Sequence, residues 1–419
     1  MYKDIKSQLD SVGPGFCLAK WTNSTIHLGI GKTHSCHHCG LHNIPKEEIA
    51  IDVSALHNTA YKKQQRQLML AGQRPEECDY CWNIEDSSDV YSDRILMSGK
   101  DDSWPYLEHI KHTDTFDPTY LEISFSNVCN MKCSYCGPSF SSQWYGEIAA
   151  RGPYPTSRGY NHIVDHQLKE HDNSYIEAFW KYLPAVYKNL HTLRITGGEP
   201  LLSKNTFRLL DYIIANPNEQ LSLTVNTNLN VDEVTVLDFI NLCKKLPIKK
   251  INIATSNESV GKKAEYARHG LNYQSWYDNC HRILDTSDKV NLHMMSAYNV
   301  LSVTSFTDFL KDVVELKKTY NRVFQSVTYV RDPDFMQASI LPVSWRPYLE
   351  ESLNFIQSEI GDEAGDRFKH VIASFDNKQD CQRKVDDLVI FLKEHDQRRG
   401  TDFIQTFPEY SEVLNFYSK

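Results

Sequence analysis

The sequence predicts an α/β fold: a parallel sheet with its crossover helices, a cysteine-rich segment before it and a helical extension after it. Three observations carry this expectation. From Tyr120 onward, short apolar stretches alternate with amphipathic ones. Eight of the eleven cysteines lie before residue 137. From about residue 343 the apolar positions settle into helical spacing. Strands separated by helices imply right-handed crossovers, hence an open doubly wound sheet or a partial β/α barrel. Either architecture places its chemistry at the carboxyl ends of the strands.

The elements follow in order. Residues 1–83 are rich in Cys, His and turn residues, with a helical stretch around YKKQQRQLMLAG. Residues 84–118 have weak periodicity, and EDSSDVYSDRILMSGKDDSW reads as a surface connection. Residues 119–335 hold six strand candidates, at 120–127, 192–196, 221–226, 250–255, 290–297 and 323–330. Between the last two, Phe306, Phe309, Leu310, Val313 and Val314 form a helical stripe. Inside the first β/α unit, residues 151–175 are aromatic, His-rich and aperiodic, the pattern of a lid or insertion. In residues 336–419, Val385, Leu388, Val389 and Leu392 share one helical face.

Composition narrows the function classes. The 419 residues are 41% hydrophobic and 24% charged, which excludes collagen-like, disordered and disulfide-miniprotein classes. With 45 Lys plus Arg against 54 Asp plus Glu, the net charge is −9. No basic footprint for nucleic acid is present, and that partner is disfavoured. No apolar run approaches the ~18 residues of a membrane span, and the N-terminus lacks a signal-peptide pattern. A cytoplasmic address is expected, and clustered thiols there read as metal or redox sites. Cys243, Cys280 and Cys381 stand alone, the first two in helical patterns that suggest small buried hydrophobes.

The first barrel strand runs into Cys129-Asn-Met-Lys-Cys133-Ser-Tyr-Cys136. Three thiolates at C-x3-C-x2-C spacing can hold three corners of an iron–sulfur cubane and leave one iron open. A zinc site completed by a distant Cys or His is the competing reading. After the second strand comes Thr196-Gly197-Gly198-Glu199-Pro200. The glycines permit close backbone approach to a ligand, and the carboxylate can hold an ammonium group. The fourth strand ends at Thr255-Ser256, with Arg268 a dozen residues on, and Asn226 ends the third.

These motifs, in this order, resemble the radical S-adenosylmethionine superfamily. The resemblance covers residues 120 to about 330 and implies a partial (β/α)6 barrel. It implies a [4Fe–4S] cluster on Cys129, Cys133 and Cys136, whose open iron chelates S-adenosylmethionine. Tyr135 matches the position set against adenine, and Gly197, Gly198 and Glu199 match the cofactor's GGEP element. Ser256 falls at a ribose contact and Arg268 at a contact to the cofactor carboxylate. The implied chemistry is reductive cleavage to methionine and a 5′-deoxyadenosyl radical, which abstracts a substrate hydrogen.

The N-terminal cysteines leave two metal readings. Cys36-x2-Cys39 and Cys78-x2-Cys81 make a long-spaced zinc pattern. Cys17, Cys36, Cys78 and Cys81 instead resemble a twitch-type auxiliary [4Fe–4S] segment, placed before the core, in which Cys39 is not a ligand. His34, His37, His38 and His42 crowd the same loop, and His162, His166 and His171 the lid. The sequence assigns no hydrogen donor to a product radical, and Cys39, Tyr154 and Tyr160 are not assigned that role. The resemblance implies a peptide or amino-acid-like substrate, a possible net oxidation through the auxiliary cluster, and an electron donor such as flavodoxin or ferredoxin. The same chemistry on a small metabolite or RNA, and a non-catalytic scaffold stapled by zinc or iron–sulfur, are the alternatives.

Overall fold

The computed structural model describes residues 2–377 and 381–411. Its strands are β1 (Asn23–His27), β2 (Lys32–His34), β3 (His42–Asn43), β4 (Tyr120–Ser124), β5 (Lys132–Cys133), β6 (Thr192–Thr196), β7 (Asn218–Asn226), β8 (Ile248–Ser256), β9 (Arg268–His269), β10 (Val290–Tyr298) and β11 (Val323–Tyr329). All six expected barrel strands are present as β4, β6, β7, β8, β10 and β11. Residues 1–126, 167–225 and 247–250 form one compact unit, and residues 127–166, 226–246 and 251–419 a second. This division splits the expected segment 119–335 and leaves 1–83, 84–118 and 336–419 each within one unit.

In the first unit β4, β6 and β7 are parallel neighbours. Leu121, Ile123, Leu193, Ile195, Leu223 and Val225 are fully buried on one face, the period-two alternation that marked these strands. The other face is polar: Arg194 lies 3.7 Å from Glu122, which also accepts from Thr196 Oγ1 at 3.3 Å.

The cysteine-rich block contributes strands that the sequence did not announce. β1 runs parallel to β4, and β1, β2 and β3 form an antiparallel meander. Asn23, Ser24 and Thr25 are buried despite their polarity, so hydrophobic alternation gives no signal there. The expected helix forms over Ala60–Leu70, capped by Thr59 Oγ1 accepting from Lys62 N at 3.1 Å.

The stretch read as a surface connection is exposed over residues 86–91 but turns into the interior from Ser92. It forms the helix Asp93–Ser98, whose Ile95 joins Ile5, Leu9, Trp21, Met69 and Ile110 in one apolar cluster. Arg94 is 1% exposed and bonds Glu85 at 2.7 Å and Asp10 at 2.8 Å. Its charge, which argued for the surface, is neutralised inside.

In the second unit β8, β10 and β11 are parallel, and β5 pairs antiparallel with β9. Phe306, Phe309, Leu310 and Val313 are buried on the helix Phe306–Thr319, with Val314 at its edge. The C-terminal extension is helical over Arg346–Glu359, Asp362–Asp376 and Cys381–Arg399. Val385, Leu388 and Leu392 are buried there. Residues 412–419 of the expected extension, and the side chain of Cys381, lie outside the described residues. Among the described residues no helix is long and apolar enough to cross a membrane.

Candidate functional site

The loop after β4 carries Cys129, Cys133 and Cys136, all half-buried. Its turns are fixed from outside. Ser142 Oγ accepts from Cys129 N at 3.1 Å, and Trp144 Nε1 donates to the Cys133 carbonyl at 2.9 Å. The Cys136 carbonyl accepts from Tyr160 Oη at 2.8 Å and Asn161 Nδ2 at 3.0 Å. These bonds hold the backbone and leave the thiols to ligate. Cys243 and Cys280 are buried in the helices Glu233–Cys243 and Tyr273–Leu284, as expected.

The β5–β9 pairing sets Cys133 opposite Arg268. Arg268 Nη1 stands 3.7 Å from Cys133 Sγ, and Nη2 donates to Glu258 at 2.7 Å. Tyr135 Oη donates to the same carboxylate at 2.9 and 3.0 Å, and the guanidinium lies 5.4 Å from the Tyr135 ring. Glu258 is 0% and Arg268 4% exposed. Burial pushes the Tyr135 phenol and Cys133 thiol up, Arg268 opposing it in both, and burial lifts Cys136 to about 12. Burial would also depress Arg268, but Glu258 holds it above the usual value. Its Nε is buried without a hydrogen-bond partner.

Ser256 sits half-buried at the end of β8, in register with Met295. Asn226 ends β7. The neighbouring Asn228 reaches toward Cys129 Sγ at 4.0 Å while donating to Asn130 Oδ1 at 2.8 Å. Sequence reasoning passed over Asn228 and Glu258. A carboxylate two residues beyond a barrel strand was the available signal for the latter.

Gly197 has φ 121°, and a Cβ there would fall 2.6 Å from the Ser126 carbonyl. Gly198 N donates to that carbonyl at 3.1 Å. The glycines thus pack the turn after β6 onto the end of β4. Glu199 is buried, and its Oε1 accepts from Leu201 N at 2.9 Å.

In the first unit, Cys17, Cys36, Cys39, Cys78 and Cys81 all line one cavity of about 30 Å³. Cys39 is therefore inside the thiol cluster. Its Sγ is 3.8 Å from Cys78 Sγ and 3.7 Å from Lys20 Nζ. Lys20, 4% exposed, also pairs with Glu77. Hydrogen bonds from Cys36 and Cys78, with the Lys20 charge, hold Cys39 well below an ordinary thiol. Burial pulls Lys20 down, but Cys39, Cys78 and Glu77 outweigh it and hold it above its usual value.

The histidines divide. His38 Nε2 meets Asp93 Oδ2 at 2.6 Å, and the ring stacks on Tyr80 at 3.6 Å. Ligand atoms of Cys36, His37 and His38 lie within 4.8 Å of one another. Burial depresses His34 to about 4, with its Nδ1 donating to the Cys36 carbonyl at 2.8 Å, and His42 to about 3. The lid histidines His162, His166 and His171 are exposed. The lid tyrosines are structural anchors: Tyr154 is buried, and its Oη donates to Glu147 at 2.7 Å. A second cavity, of about 640 Å³, opens between Cys136, the lid at Tyr160 and His162, and Asp332 and Phe335 beyond β11.

Residues 123–298 match the family model described as Radical SAM superfamily. GTP 3′,8-cyclase from Campylobacter jejuni is 29% identical over 135 residues, covering 32% of this chain and 34% of its own. The Clostridium botulinum protein of that name is 28% identical over 137 residues, with 32% and 34% covered. The chain thus matches about a third of the length of these curated relatives. Among solved structures, Streptococcus suis SuiB bound to S-adenosylmethionine gives a TM-score of 0.41 at 14% identity, covering 81% of this chain and 70% of that one. The stretch that matches this family model takes in the three-cysteine loop, close after its start.

Proposed function

We propose that the protein is a radical S-adenosylmethionine enzyme acting on a peptide or amino-acid-like substrate. The observation that carries the reading is the loop after β4: three half-buried thiols, backbone pinned, with Arg268 beside Cys133 Sγ. The donor set fits the cofactor pair. Soft thiolates suit iron–sulfur, and the buried, unpartnered Nε of Arg268 is a donor in want of an anionic acceptor. Cys129, Cys133 and Cys136 would hold a [4Fe–4S] cluster, which with bound S-adenosylmethionine would supply radical hydrogen abstraction from substrate.

This chain's own residues do the rest. Tyr135 offers a ring face already fixed by Glu258, and Arg268 brings positive charge to the cluster edge. Ser256, at the end of β8 in the same unit as the three thiols, would contact the cofactor, and Gly197, Gly198 and Glu199, on the turn after β6, are the expected contacts that the GGEP resemblance implies. The lid, bonded to the Cys136 carbonyl, limits water access. The cavity of about 640 Å³ is of a size for a small molecule or a short peptide segment. The GTP 3′,8-cyclase relatives, by their name, act on a nucleotide, which supports a small metabolite as the second substrate reading. A cytoplasmic flavodoxin or ferredoxin would be the electron donor.

For the first unit, Cys17, Cys36, Cys78 and Cys81 would hold an auxiliary [4Fe–4S] cluster, the convergence of these thiols being its support. One observation favours zinc instead. A tetrahedron of sulfurs about 2.3 Å from one ion has edges of about 3.8 Å, the distance between Cys39 and Cys78 Sγ. A cubane puts each thiolate on a different iron and spreads them further.

The test is anaerobic quantitation of iron, sulfide and zinc in wild type and a Cys129/Cys133/Cys136→Ala variant, with deoxyadenosine formation under dithionite. About eight irons falling to about four, with cleavage lost, would support two cubanes. About four irons plus one zinc keeps the enzyme and gives the N-terminal site to zinc. A fully loaded cluster without cofactor cleavage refutes the catalytic reading.

A further inference from the structure

Glu258 belongs to none of the motifs, yet it is the point on which the buried polar groups around Cys133 converge. It is fully buried, and its two oxygens take Arg268 Nη2 at 2.7 Å and Tyr135 Oη at 2.9 and 3.0 Å. Arg268 has two anchors of its own, Glu258 through Nη2 and Cys133 Sγ through Nη1, since its Nε bonds nothing. We propose that Glu258 is a positioning residue that holds Arg268 against the Cys133 sulfur and so tunes how readily the cluster on Cys129, Cys133 and Cys136 is reduced. This rests on the enzymatic reading above.

The physical argument is one of charge. The potential of an iron–sulfur cluster follows local net charge and hydrogen bonds to its sulfurs. The Arg268–Glu258 pair is neutral overall, with its positive end toward Cys133 Sγ, and in a buried setting charges are weakly screened. Glu258→Gln removes the negative end and leaves an extra positive charge at the sulfur, so electron uptake becomes easier. Arg268→Gln leaves a buried carboxylate near the cluster, so uptake becomes harder. The two substitutions break the same ion pair and have opposite signs, which loss of packing alone does not produce.

The experiment is an EPR-monitored redox titration of the full-length, anaerobically reconstituted protein, following the signal that changes on adding S-adenosylmethionine. At fixed poise, the reduced-to-oxidised ratio is expected to rise about tenfold in Glu258→Gln and fall about tenfold in Arg268→Gln, about 59 mV each for a one-electron couple. Tyr135→Phe keeps the ion pair and is expected to stay within about threefold of wild type. Shifts of the same sign, or none in variants with wild-type iron, overturn the inference. So does a shift in Tyr135→Phe as large as in Glu258→Gln. If Glu258→Gln does not hold its iron, Glu258→Asp, which keeps the charge, must stay near wild type while Arg268→Gln still falls. A wild-type cluster whose signal ignores S-adenosylmethionine refutes the enzymatic reading itself, a result separate from any potential shift.

Discussion

The chain holds two groups of cysteines built on opposite plans. The N-terminal group is closed: five thiols face one small cavity, with the buried Lys20 and its half-buried partner Glu77 beside it. The group after β4 is open: three thiols on a loop, held through backbone bonds, with one guanidinium at the side. A closed set of thiols spends its ligands on fixing the fold, whereas an open one keeps a coordination position for an exogenous molecule. On the proposed reading, metal bound at the first site would stabilise structure and metal bound at the second would perform chemistry.

The largest effect tests that division directly. Cys78→Ser should strip metal from the N-terminal site and lower the apparent melting temperature by more than about ten degrees, because a structural metal contributes folding free energy. Cys133→Ser should abolish deoxyadenosine formation with a change of only a few degrees. Metal analysis and thermal melts on both variants decide it. Equal losses of stability would break the distinction between the two sites.

A smaller effect sharpens what keeps the closed site together. Lys20 is buried, pairs with Glu77 and lies 3.7 Å from Cys39 Sγ. Lys20→Met leaves both anionic partners uncompensated, and breaking a buried pair costs about 3–5 kcal/mol. Chemical denaturation should show a loss on that order, with the iron of the second site unchanged. A Lys20→Met protein as stable as wild type would mean that solvent, not Lys20, balances the site.

The open site and its strands were the more legible part of the sequence. β4, β6, β7, β8, β10 and β11 announced themselves because each buries one apolar face against helices. The C-x3-C-x2-C loop was visible because ligand spacing is a local property. What escaped was non-local. β1 buries Asn23, Ser24 and Thr25, so it lacks hydrophobic alternation. The segment with Arg94 looked like surface because its partners, Asp10 and Glu85, are distant or unremarkable in sequence. Whether Cys39 is a ligand stayed open between the two metal readings, because spacing cannot show that it lies against Cys78. Glu258 was silent because its meaning depends on Tyr135, 123 positions earlier.

The smallest predicted effect separates the units by acid rather than by metal. His395 in the second unit is fully buried, stacks on Tyr266 at 4.3 Å and accepts from or donates to Thr401 Oγ1 at 3.0 Å. Burial lowers its pKa from 6.5 to about 4. The unfolded chain therefore binds the proton first, and stability is lost as pH falls from 6.5 toward 4. Between pH 7.5 and 5.5 the loss from this one group is about 1 kcal/mol, a drop of a few degrees in melting temperature. His395→Phe preserves a ring against Tyr266 and removes the proton site. Melts at the two pH values should show a smaller acid-induced drop in the variant, with wild-type metal content at both pH values. An unchanged drop would assign the acid sensitivity to the other buried histidines, His269 in the second unit and His34 and His42 in the first, which burial also depresses.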